Sequence, residues 1–295
     1  MWLFFAFREA ESPQTGVPHP KRAFVLRVGM RKSNPRHCWG FCSSLRLSTI
    51  RMPNLPLQGQ SALITGGARR IGRAIALTLA AAGADVTITY RTSADEAVET
   101  VDAIEQLGRK AFAIECNVRS EGSIRVAVTA AVARHKRLDI LVNNAGIYEA
   151  APLDQITVAQ WDAIFETNSR GPFLFAREAI SHLRASRGRI VNIGSLGGIH
   201  AWATHAHYCT SKAALHMLTQ AMAKAFAPEV TVNCVAPGRI EMDEKPGEEA
   251  ARFAAKTPLK RNGAADDVAR AALYFASSAS FVTGQILTVD GGLGL

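Results

Sequence analysis

Two residues of one predicted helix have the types and the spacing needed for proton transfer. Tyr208 and Lys212 stand four residues apart in a run that continues with alanine and leucine. Residues four apart share one face of a helix, so the ammonium can approach the phenol. A nearby positive charge lowers a tyrosine pKa, which makes the tyrosine a usable acid near neutral pH. Taken alone, the pair also fits a half-buried aromatic beside a solvated charge.

A glycine-rich segment early in the regular part of the chain predicts a phosphate-binding loop. An apolar strand over 61–65 precedes it, and an alanine-rich helix over 73–82 follows it. Glycines let the backbone approach a pyrophosphate closely, and a helix N-terminus offers free N–H groups with a positive dipole. The candidate cofactor residues of this loop are Gly66, Arg69, Arg70, Ile71 and Gly72.

Strand and helix patterns alternate through 58–295. Further strands are expected near 85–90, 111–116, 138–142, 189–193, 230–235 and 286–289, with helices between them. Such alternation is typical of a parallel sheet covered on both faces, and right-handed crossovers make it a doubly wound sheet of the Rossmann type. The predicted fold class is a single α/β domain of about seven strands, with helices on both faces and no separate substrate domain.

The excess of basic residues lies outside this domain. The chain carries a formal net charge of +9, but nine basic and two acidic residues fall within 1–51, which leaves +2 on the remainder. A nearly neutral domain does not indicate a nucleic-acid partner. No run approaches the roughly 18 apolar residues of a membrane helix, and the cysteines have neither disulfide-framework nor zinc spacing. A cytoplasmic protein without a metal site is therefore expected.

Residues 1–57 form a basic, proline-containing extension without a lasting helical or strand period. Three interpretations stay open: a transit peptide, a basic tail that touches a surface, or a segment outside the mature protein, whose functional start is Met52. The last is favoured, because only a short polar lead separates Met52 from the first strand. The extension is expected to be disordered or to lie outside the mature fold, with residues 1–52 packing poorly.

The order of several motifs resembles the short-chain dehydrogenase/reductase family over roughly 58–295. The motifs are Thr65-Gly66…Gly72, Asn143-Asn144-Ala145-Gly146, Asn168, Ser195, Tyr208-x-x-x-Lys212, Pro237-Gly238 and Val289-Asp290-Gly291-Gly292. Ser195 precedes Tyr208 by the thirteen residues that this family shows. The resemblance implies that Tyr208 gives a proton to a carbonyl oxygen, while Ser195 donates a hydrogen bond that polarises it.

The same resemblance implies further roles around the cofactor. Lys212 is expected to hold the nicotinamide ribose as well as tune Tyr208, and Asn168 to position a water that relays protons to Lys212. Asn143 and Gly146 are expected to close the floor of the cofactor site at the end of the fourth strand, and the further expected cofactor-binding residues are Ala145, Pro237 and Gly238.

The end of the second strand indicates which nicotinamide cofactor is used. An NAD enzyme places an acidic residue there to bind the ribose 2′-hydroxyl. This chain has Arg91, Thr92 and Ser93 instead, with no acid until Asp95, and Arg69 adds a second cation from the glycine loop. These groups suit a 2′-phosphate, so the predicted cofactor is NADP(H). On the adenine side, Asn117 and Val118 are expected, with Asn117 in place of the family's common aspartate.

The substrate stays open between hypotheses. The first is an NADPH-dependent reduction of a small-molecule ketone, with 3-oxoacyl thioesters as typical family substrates. Arg70 replaces the usual middle glycine of the loop and resembles pteridine reductases, which reduce a ring C=N. Those enzymes usually carry an aspartate where this chain has Ser195. A non-catalytic NADP-binding sensor is the third hypothesis, against which the intact Ser195, Tyr208 and Lys212 argue.

The substrate pocket is expected between residues 196–207 and 239–256, which follow predicted strands. Apolar walls are expected from Ile199, Trp202 and Met242. The family resemblance also implies a homo-oligomer, tetramer or dimer, through the helices over 168–185 and the C-terminal region, with no nucleic-acid or membrane partner.

Overall fold

The computed structural model describes residues 55–241, 247–277 and 281–295, and within these ranges strands and helices alternate as expected. The strands are β1 (Ser61–Ile64), β2 (Asp85–Tyr90), β3 (Ala111–Glu115), β4 (Ile140–Asn143), β5 (Arg189–Ile193), β6 (Thr231–Pro237) and β7 (Ile286–Val289). The helices are α1 (Arg70–Ala81), α2 (Ala94–Gln106), α3 (Glu121–His135), α4 (Val158–Phe165), α5 (Gly171–Ser186), α6 (Ala206–Phe226), α7 (Glu248–Lys256) and α8 (Ala265–Ser277). The expectations for residues 1–52 and for Met242 lie outside the described residues.

In the described chain, all seven strands pair in parallel, in the order β3-β2-β1-β4-β5-β6-β7. The strand order reverses between β1 and β4, which pair through Ala62↔Ile140. At such a switch point the connections leave in opposite directions and open a crevice at the carboxyl ends of the strands. The predicted doubly wound fold is therefore confirmed, and every candidate site residue lies on or near this edge.

The central strands of the sheet are buried on both faces, which explains their continuous apolar residues, whereas the edge strands β3 and β7 are partly exposed. Every residue of β1 and β4 is buried. One core cluster packs the sheet against α1 and α8, and the other packs the opposite face against α3, α5 and α6. The stripe that α1 contributes is spaced three and four residues apart, as an amphipathic helix requires, and comprises Gly72, Ile75, Ala76, Leu79 and Ala80.

The folded domain includes Leu57, which the sequence analysis assigned to the N-terminal extension over 1–57. Leu57 is fully buried in the first core cluster, and its N–H donates to the Ala82 carbonyl at 2.9 Å. The described fold therefore includes residues before the predicted start at 58.

Two helix boundaries differ from the prediction, and both bear on the site. α1 begins at Arg70 rather than at residue 73, so its first turn lies inside the glycine-rich segment. The helix expected from Thr157 to Asn168 keeps its predicted cap, because Thr157 forms a capping box with Gln160. It ends at Phe165, however, and a π-helical segment, Glu166–Arg170, joins it to α5.

Candidate active site

The turn between β1 and α1 requires glycine at several points, among them Gly66 and Gly72. Gly66 adopts φ +64°, a left-handed conformation that side chains rarely accept. A Cβ at Gly72 would overlap the Gly66 carbonyl oxygen and lie 2.6 Å from Asn144 Nδ2. Arg70 also has a positive φ, of 53°, which explains why glycine is common at this place in the loop.

A polar brace ties the end of β1 to the end of β4. The Asn144 amide donates to the carbonyl oxygens of Thr65 and Gly66, both at 2.9 Å. The Thr65 hydroxyl accepts from the backbone N–H groups of Asn144 and Ala145, also at 2.9 Å. The Asn143 side chain is directed toward the neighbouring strand β5, because its Nδ2 donates to the buried Asn192 Oδ1 at 2.8 Å. Asn144, rather than Asn143, therefore presents its side chain to the crevice.

A cavity of about 430 Å³ opens above this turn. It brings together most of the predicted cofactor residues, namely Gly66, Arg69, Arg70, Ile71, Gly72, Arg91, Thr92, Ser93, Asn117, Val118, Ala145 and Gly146. Asn143 does not line it. Residues that the sequence reasoning did not select also contribute to its wall, among them Thr89, Cys116 and Arg119.

The electrostatics of this cavity suit an anionic cofactor. The α1 N-terminus has neither a side-chain cap nor an acidic residue in its first turn, so its N–H groups are available to a ligand. Within the described ranges, Arg69, Arg70 and Arg91 form no ion pair. The cavity thus combines three features that suit the phosphates of a dinucleotide. They are a glycine turn that a ligand can approach closely, a helix N-terminus with available N–H groups, and arginines without an acidic partner among the described residues.

A second cavity, of about 630 Å³, adjoins the first and holds the predicted chemistry. Its lining includes Ser195, Tyr208, Lys212, Pro237 and Gly238. Four residues line both cavities: Ile71, Asn144, Gly146 and Ile147. A molecule that fills the first cavity can therefore extend to the Tyr208 side of the second.

Tyr208 is a neutral phenol in this environment. Burial raises its pKa to about 12, and a hydrogen-bonding contact with Ser195 offsets part of that rise. The Ser195 hydroxyl also accepts the Gly197 N–H at 3.0 Å, which fixes its oxygen at the base of the loop. The two hydroxyls thus lie together at the cavity wall, with Ser195 oriented by its own backbone.

Lys212 does not tune Tyr208 in the predicted way. Its Nζ lies 5.9 Å from the Tyr208 ring centroid and donates to the Ile193 carbonyl at 2.8 Å. Burial lowers the Lys212 pKa to about 8, while the Tyr208 pKa is raised. The expected lowering of the Tyr208 pKa is therefore wrong for this structure. The helix spacing brings Tyr208 and Lys212 to one face of α6, but the ammonium donates its hydrogen bond to the Ile193 carbonyl of β5. Desolvation is therefore the largest influence on the Tyr208 pKa.

Asn168 lies in the π-helical segment and is fully buried beside Lys212. Its Oδ1 accepts the Ile147 N–H at 2.9 Å, and its Nδ2 donates to the Ile147 carbonyl at 3.0 Å and to Ser211 at 3.1 Å. A Cβ at Gly146 would lie 3.2 Å from Asn168 Oδ1 and 3.5 Å from Lys212 Nζ, so both polar groups face the same glycine. The amide thus fixes the segment after β4 against α6.

A buried histidine lies directly behind Ser195. His216, one turn after Lys212 on α6, accepts the Ser195 N–H at 3.5 Å. A Cβ at Gly198 would lie 2.6 Å from its ring, and a Cβ at Gly194 would overlap its Nε2. Burial and, to a smaller extent, the Lys212 charge lower the His216 pKa to about 4, although a backbone hydrogen bond with Gly198 opposes both effects. A neutral imidazole therefore fills the hollow that these glycines leave around Ser195.

Aromatic rings surround Tyr208 in the second cavity. Tyr148 meets Tyr208 edge-on with 4.9 Å between centroids and stacks on His205 at 4.7 Å. Trp202 lies nearly parallel to Tyr208 at 6.1 Å. The predicted pocket wall is confirmed for Trp202, but Ile199 is exposed and does not line the cavity.

Comparisons with known proteins identify the chain. Residues 66–294 match the family model described as Enoyl-(Acyl carrier protein) reductase. The chain belongs to the short-chain dehydrogenase/reductase family. This short-chain dehydrogenase/reductase is accordingly an oxidoreductase that acts on hydroxyl or carbonyl groups. Across the described ranges, no helix is both long and apolar enough to cross a bilayer.

Its relatives are similar over nearly their full length. The 3-oxoacyl-(acyl-carrier-protein) reductase of Aquifex aeolicus is 38% identical over 246 residues, which cover 81% of this chain and 99% of that protein. The 3beta-hydroxysteroid dehydrogenase 1 of Eggerthella lenta is 37% identical, covering 81% and 95%. The crystal structure of a short-chain dehydrogenase from Burkholderia cenocepacia, in complex with NADP, is 40% identical with a TM-score of 0.77, covering 81% and 100%.

The sequence reasoning missed several residues of this dehydrogenase/reductase site. Tyr148 lies only two residues beyond Gly146, so its position after β4 was the available signal. Arg239 follows Pro237-Gly238, and Phe253 falls within the range expected to frame the pocket. For His216, the signal was its spacing of four residues from Lys212, which places both on the inward face of α6.

Proposed function

We propose that this oxidoreductase is an NADPH-dependent carbonyl reductase that converts a ketone to an alcohol. The observation that carries the proposal is the joint placement of Tyr208 and Ser195 in the cavity that adjoins the arginine-lined one. The first cavity is assigned to the cofactor NADP(H), held by Gly66, Gly72 and the helix N-terminus, with Arg69 and Arg91 available to a 2′-phosphate. When bound, NADPH supplies the hydride.

The chain's own residues supply the proton and orient the carbonyl. With a pKa of about 12, Tyr208 carries its proton near neutral pH and can donate it to the carbonyl oxygen. Ser195, whose oxygen is fixed by Gly197, donates a hydrogen bond to that oxygen and polarises it. Lys212 is assigned to the nicotinamide ribose, because its Nζ faces Gly146, which lines both cavities. Asn168 is assigned a positioning role, because it joins Ile147 to α6 beside Lys212.

A 3-oxoacyl thioester is the substrate class proposed first. The name of the Aquifex aeolicus relative supports this class, since that protein is described as a 3-oxoacyl-(acyl-carrier-protein) reductase. A pteridine is the alternative, favoured by Arg70 in the glycine loop but opposed by Ser195. Absorbance assays of NADPH oxidation with an acetoacetyl thioester and with dihydrobiopterin separate the two substrates. Exclusive turnover of the pterin would refute the ketone assignment.

The substitution Tyr208→Phe tests whether the protein is an enzyme or a cofactor-binding sensor. We expect the phenylalanine variant to bind NADPH with wild-type affinity and to lose at least about a hundredfold in kcat, the range for removing a general acid. Tyr274→Phe, on the outer part of α8, is the matched control and should retain activity. A Tyr208→Phe variant that turns over normally would exclude the proposed mechanism.

We also propose that the enzyme is a cytoplasmic homo-oligomer, a tetramer or dimer. Exposed apolar side chains on α4, α5 and α6 support an oligomer, notably Val158, Phe173 and Met217. The cysteines of the described ranges are free thiols, which suits a reducing compartment. Light scattering tests the assembly, and imaging of a fluorescent fusion tests the location. A monomer at assay concentration or a secreted fusion would contradict these proposals.

A further inference from the structure

The cavity that contains Tyr208 carries one opposite-charge pair on its far wall. Arg239 follows the Pro237-Gly238 turn after β6, and Glu249 lies in the first turn of α7. Both line the cavity, and among its described lining residues they are the only Arg and the only acid. The remaining cation, Lys212, is committed to the Ile193 carbonyl. The mechanism uses neither Arg239 nor Glu249, so the pair needs another explanation.

Arg239 is held in place but is not saturated with hydrogen bonds. Its guanidinium lies over the Phe253 ring, 5.4 Å from the centroid, which fixes the plane of the group. Its Nε is buried without a hydrogen-bond partner. The guanidinium therefore makes fewer hydrogen bonds within the protein than its five N–H donors allow. The side chain is 34% exposed and is therefore reachable.

Glu249 is a weak partner for this guanidinium. The closest approach, from Arg239 to the Glu249 carboxylate, is 3.8 Å, and the Glu249 side chain is 72% exposed. An exposed pair at that distance is strongly screened and contributes little. Arg239 therefore keeps most of its capacity to bind a second anion in bidentate geometry.

Tyr148 contacts the reacting end of the cavity that Arg239 also lines. Its ring meets Tyr208 at 4.9 Å. Burial raises the Tyr148 pKa, and the Arg239 charge opposes that rise, which places the two side chains within electrostatic reach. Arg239 and the proton donor Tyr208 thus line the same cavity as Tyr148, so one ligand in that cavity can contact both.

We infer that Arg239 binds a carboxylate on the substrate, so that the preferred substrate is a keto acid whose ketone faces Tyr208, and that Glu249 is a displaceable counter-ion. This inference rests on the proposed carbonyl reduction and departs from the substrate class proposed first, because it makes a keto acid, and not a 3-oxoacyl thioester, the preferred substrate. The forked guanidinium suits a carboxylate in two parallel hydrogen bonds, which lysine cannot reproduce. Removing the Glu249 charge should strengthen binding, because the substrate then displaces no competing carboxylate.

A matched pair of ketones tests the inference. The wild type and its variants are assayed with NADPH and either para-acetylbenzoate or its methyl ester. The readout is the acid-to-ester ratio, which is kcat/KM for the acid divided by kcat/KM for the ester. In this ratio, general effects of a substitution cancel. Arg239→Gln should lower the ratio roughly tenfold to a hundredfold, the range for a hydrogen bond to a charged group. Arg239→Lys should restore it in part, and Glu249→Gln should raise it.

Glu248→Gln is the control for charge on α7. It removes the same charge from the neighbouring residue, whose side chain is 91% exposed and pairs with Arg252 outside the cavity. The acid-to-ester ratio of this variant should equal that of the wild type. An equal effect of Glu248→Gln and Glu249→Gln would show that only the general field matters, and would overturn the counter-ion role.

The outcomes separate this inference from the proposed function. If the ester or an acetoacetyl thioester is reduced but Arg239→Gln leaves the ratio unchanged, the carboxylate assignment alone is refuted. If Arg239→Gln raises the KM for NADPH and not that for the keto acid, Arg239 serves the cofactor and the assignment is again refuted. If no ketone is reduced, the proposed function fails. In that case, titration calorimetry of para-acetylbenzoate on wild type and Arg239→Gln still decides whether Arg239 binds carboxylates.

Discussion

Replacing Gly194 with alanine should disturb the site from behind rather than from the substrate side. Gly194 lies between β5 and Ser195, and its N–H donates to the Val235 carbonyl at 2.7 Å. An added Cβ would overlap His216 Nε2 and lie 2.7 Å from Cys234 Sγ. His216 and Cys234 are both buried, so neither can move into solvent. The methyl group must therefore displace the imidazole, the strand or the Ser195 backbone.

The expected cost follows from the crowding of this pocket. Overpacking a close-packed core costs about 1–3 kcal/mol, and overlap with two buried side chains places Gly194→Ala toward the upper end. For a domain of this size, about 2–3 kcal/mol corresponds to a fall in Tm of roughly 4–12 °C. Because Ser195 is the next residue, kcat should fall as well, while the affinity for NADPH should change little.

Differential scanning calorimetry and NADPH-oxidation kinetics measure the two effects. Gly122→Ala is the matched control, because its Cβ meets nothing within 4 Å in α3 and should leave Tm unchanged or slightly higher. The double variant Gly194→Ala/His216→Ala makes room for the methyl group and should cost less than the sum of its single changes. A Gly194→Ala protein as stable and active as the wild type would refute the packing argument.

Three further predictions concern acid stability, the cofactor turn and the positioning amide. His216 has a pKa of about 4 in the folded protein, against 6.5 for an ordinary histidine. As the pH falls from 6.5 to about 4, the unfolded chain therefore binds a proton that the folded protein does not. The free energy of unfolding should fall over this range by about 3 kcal/mol. His216→Asn should flatten this loss in urea unfolding measured at several pH values, and an unchanged slope would contradict the assignment. Gly72→Ala should abolish NADPH binding in a fluorescence titration, because the added Cβ would overlap the Gly66 carbonyl oxygen. Normal binding by this variant would show that the turn between β1 and α1 does not hold the cofactor. Asn168→Ala removes three hydrogen bonds to Ile147 and Ser211; kcat should fall more than NADPH affinity, and unchanged kcat would remove Asn168 from the site.

The fold and the composition of the site were predictable because they depend on spacing. Alternating strands and helices determine a parallel sheet, and such a sheet brings the ends of β1, β4 and β5 to one edge. The turns after these strands, which carry Gly66, Gly146 and Ser195, therefore lie side by side at that edge. The right motifs at the right intervals sufficed to predict the two adjoining cavities.

The state of individual side chains was not predictable, because it depends on what surrounds them. Sequence spacing places Lys212 beside Tyr208, but it does not show that the Ile193 carbonyl accepts a hydrogen bond from Lys212 or that burial raises the Tyr208 pKa. Nor does the Asn143-Asn144 pair reveal which amide faces the crevice. That choice depends on the alternation at the end of β4, where Asn143 turns to Asn192 and Asn144 to Thr65.

The π-helical segment between α4 and α5 has a consequence for how this chain can change. A π turn holds one more residue than the α-helical turn it replaces, and it is the less stable of the two. Deleting one residue from Glu166–Arg170 would repair the helix, but it would rotate everything on one side by about 100° relative to the other. Asn168 would then leave the interior, and its bonds to Ile147 and Ser211 would be lost. A regular helix through this segment and the buried Asn168 amide therefore exclude one another in this fold.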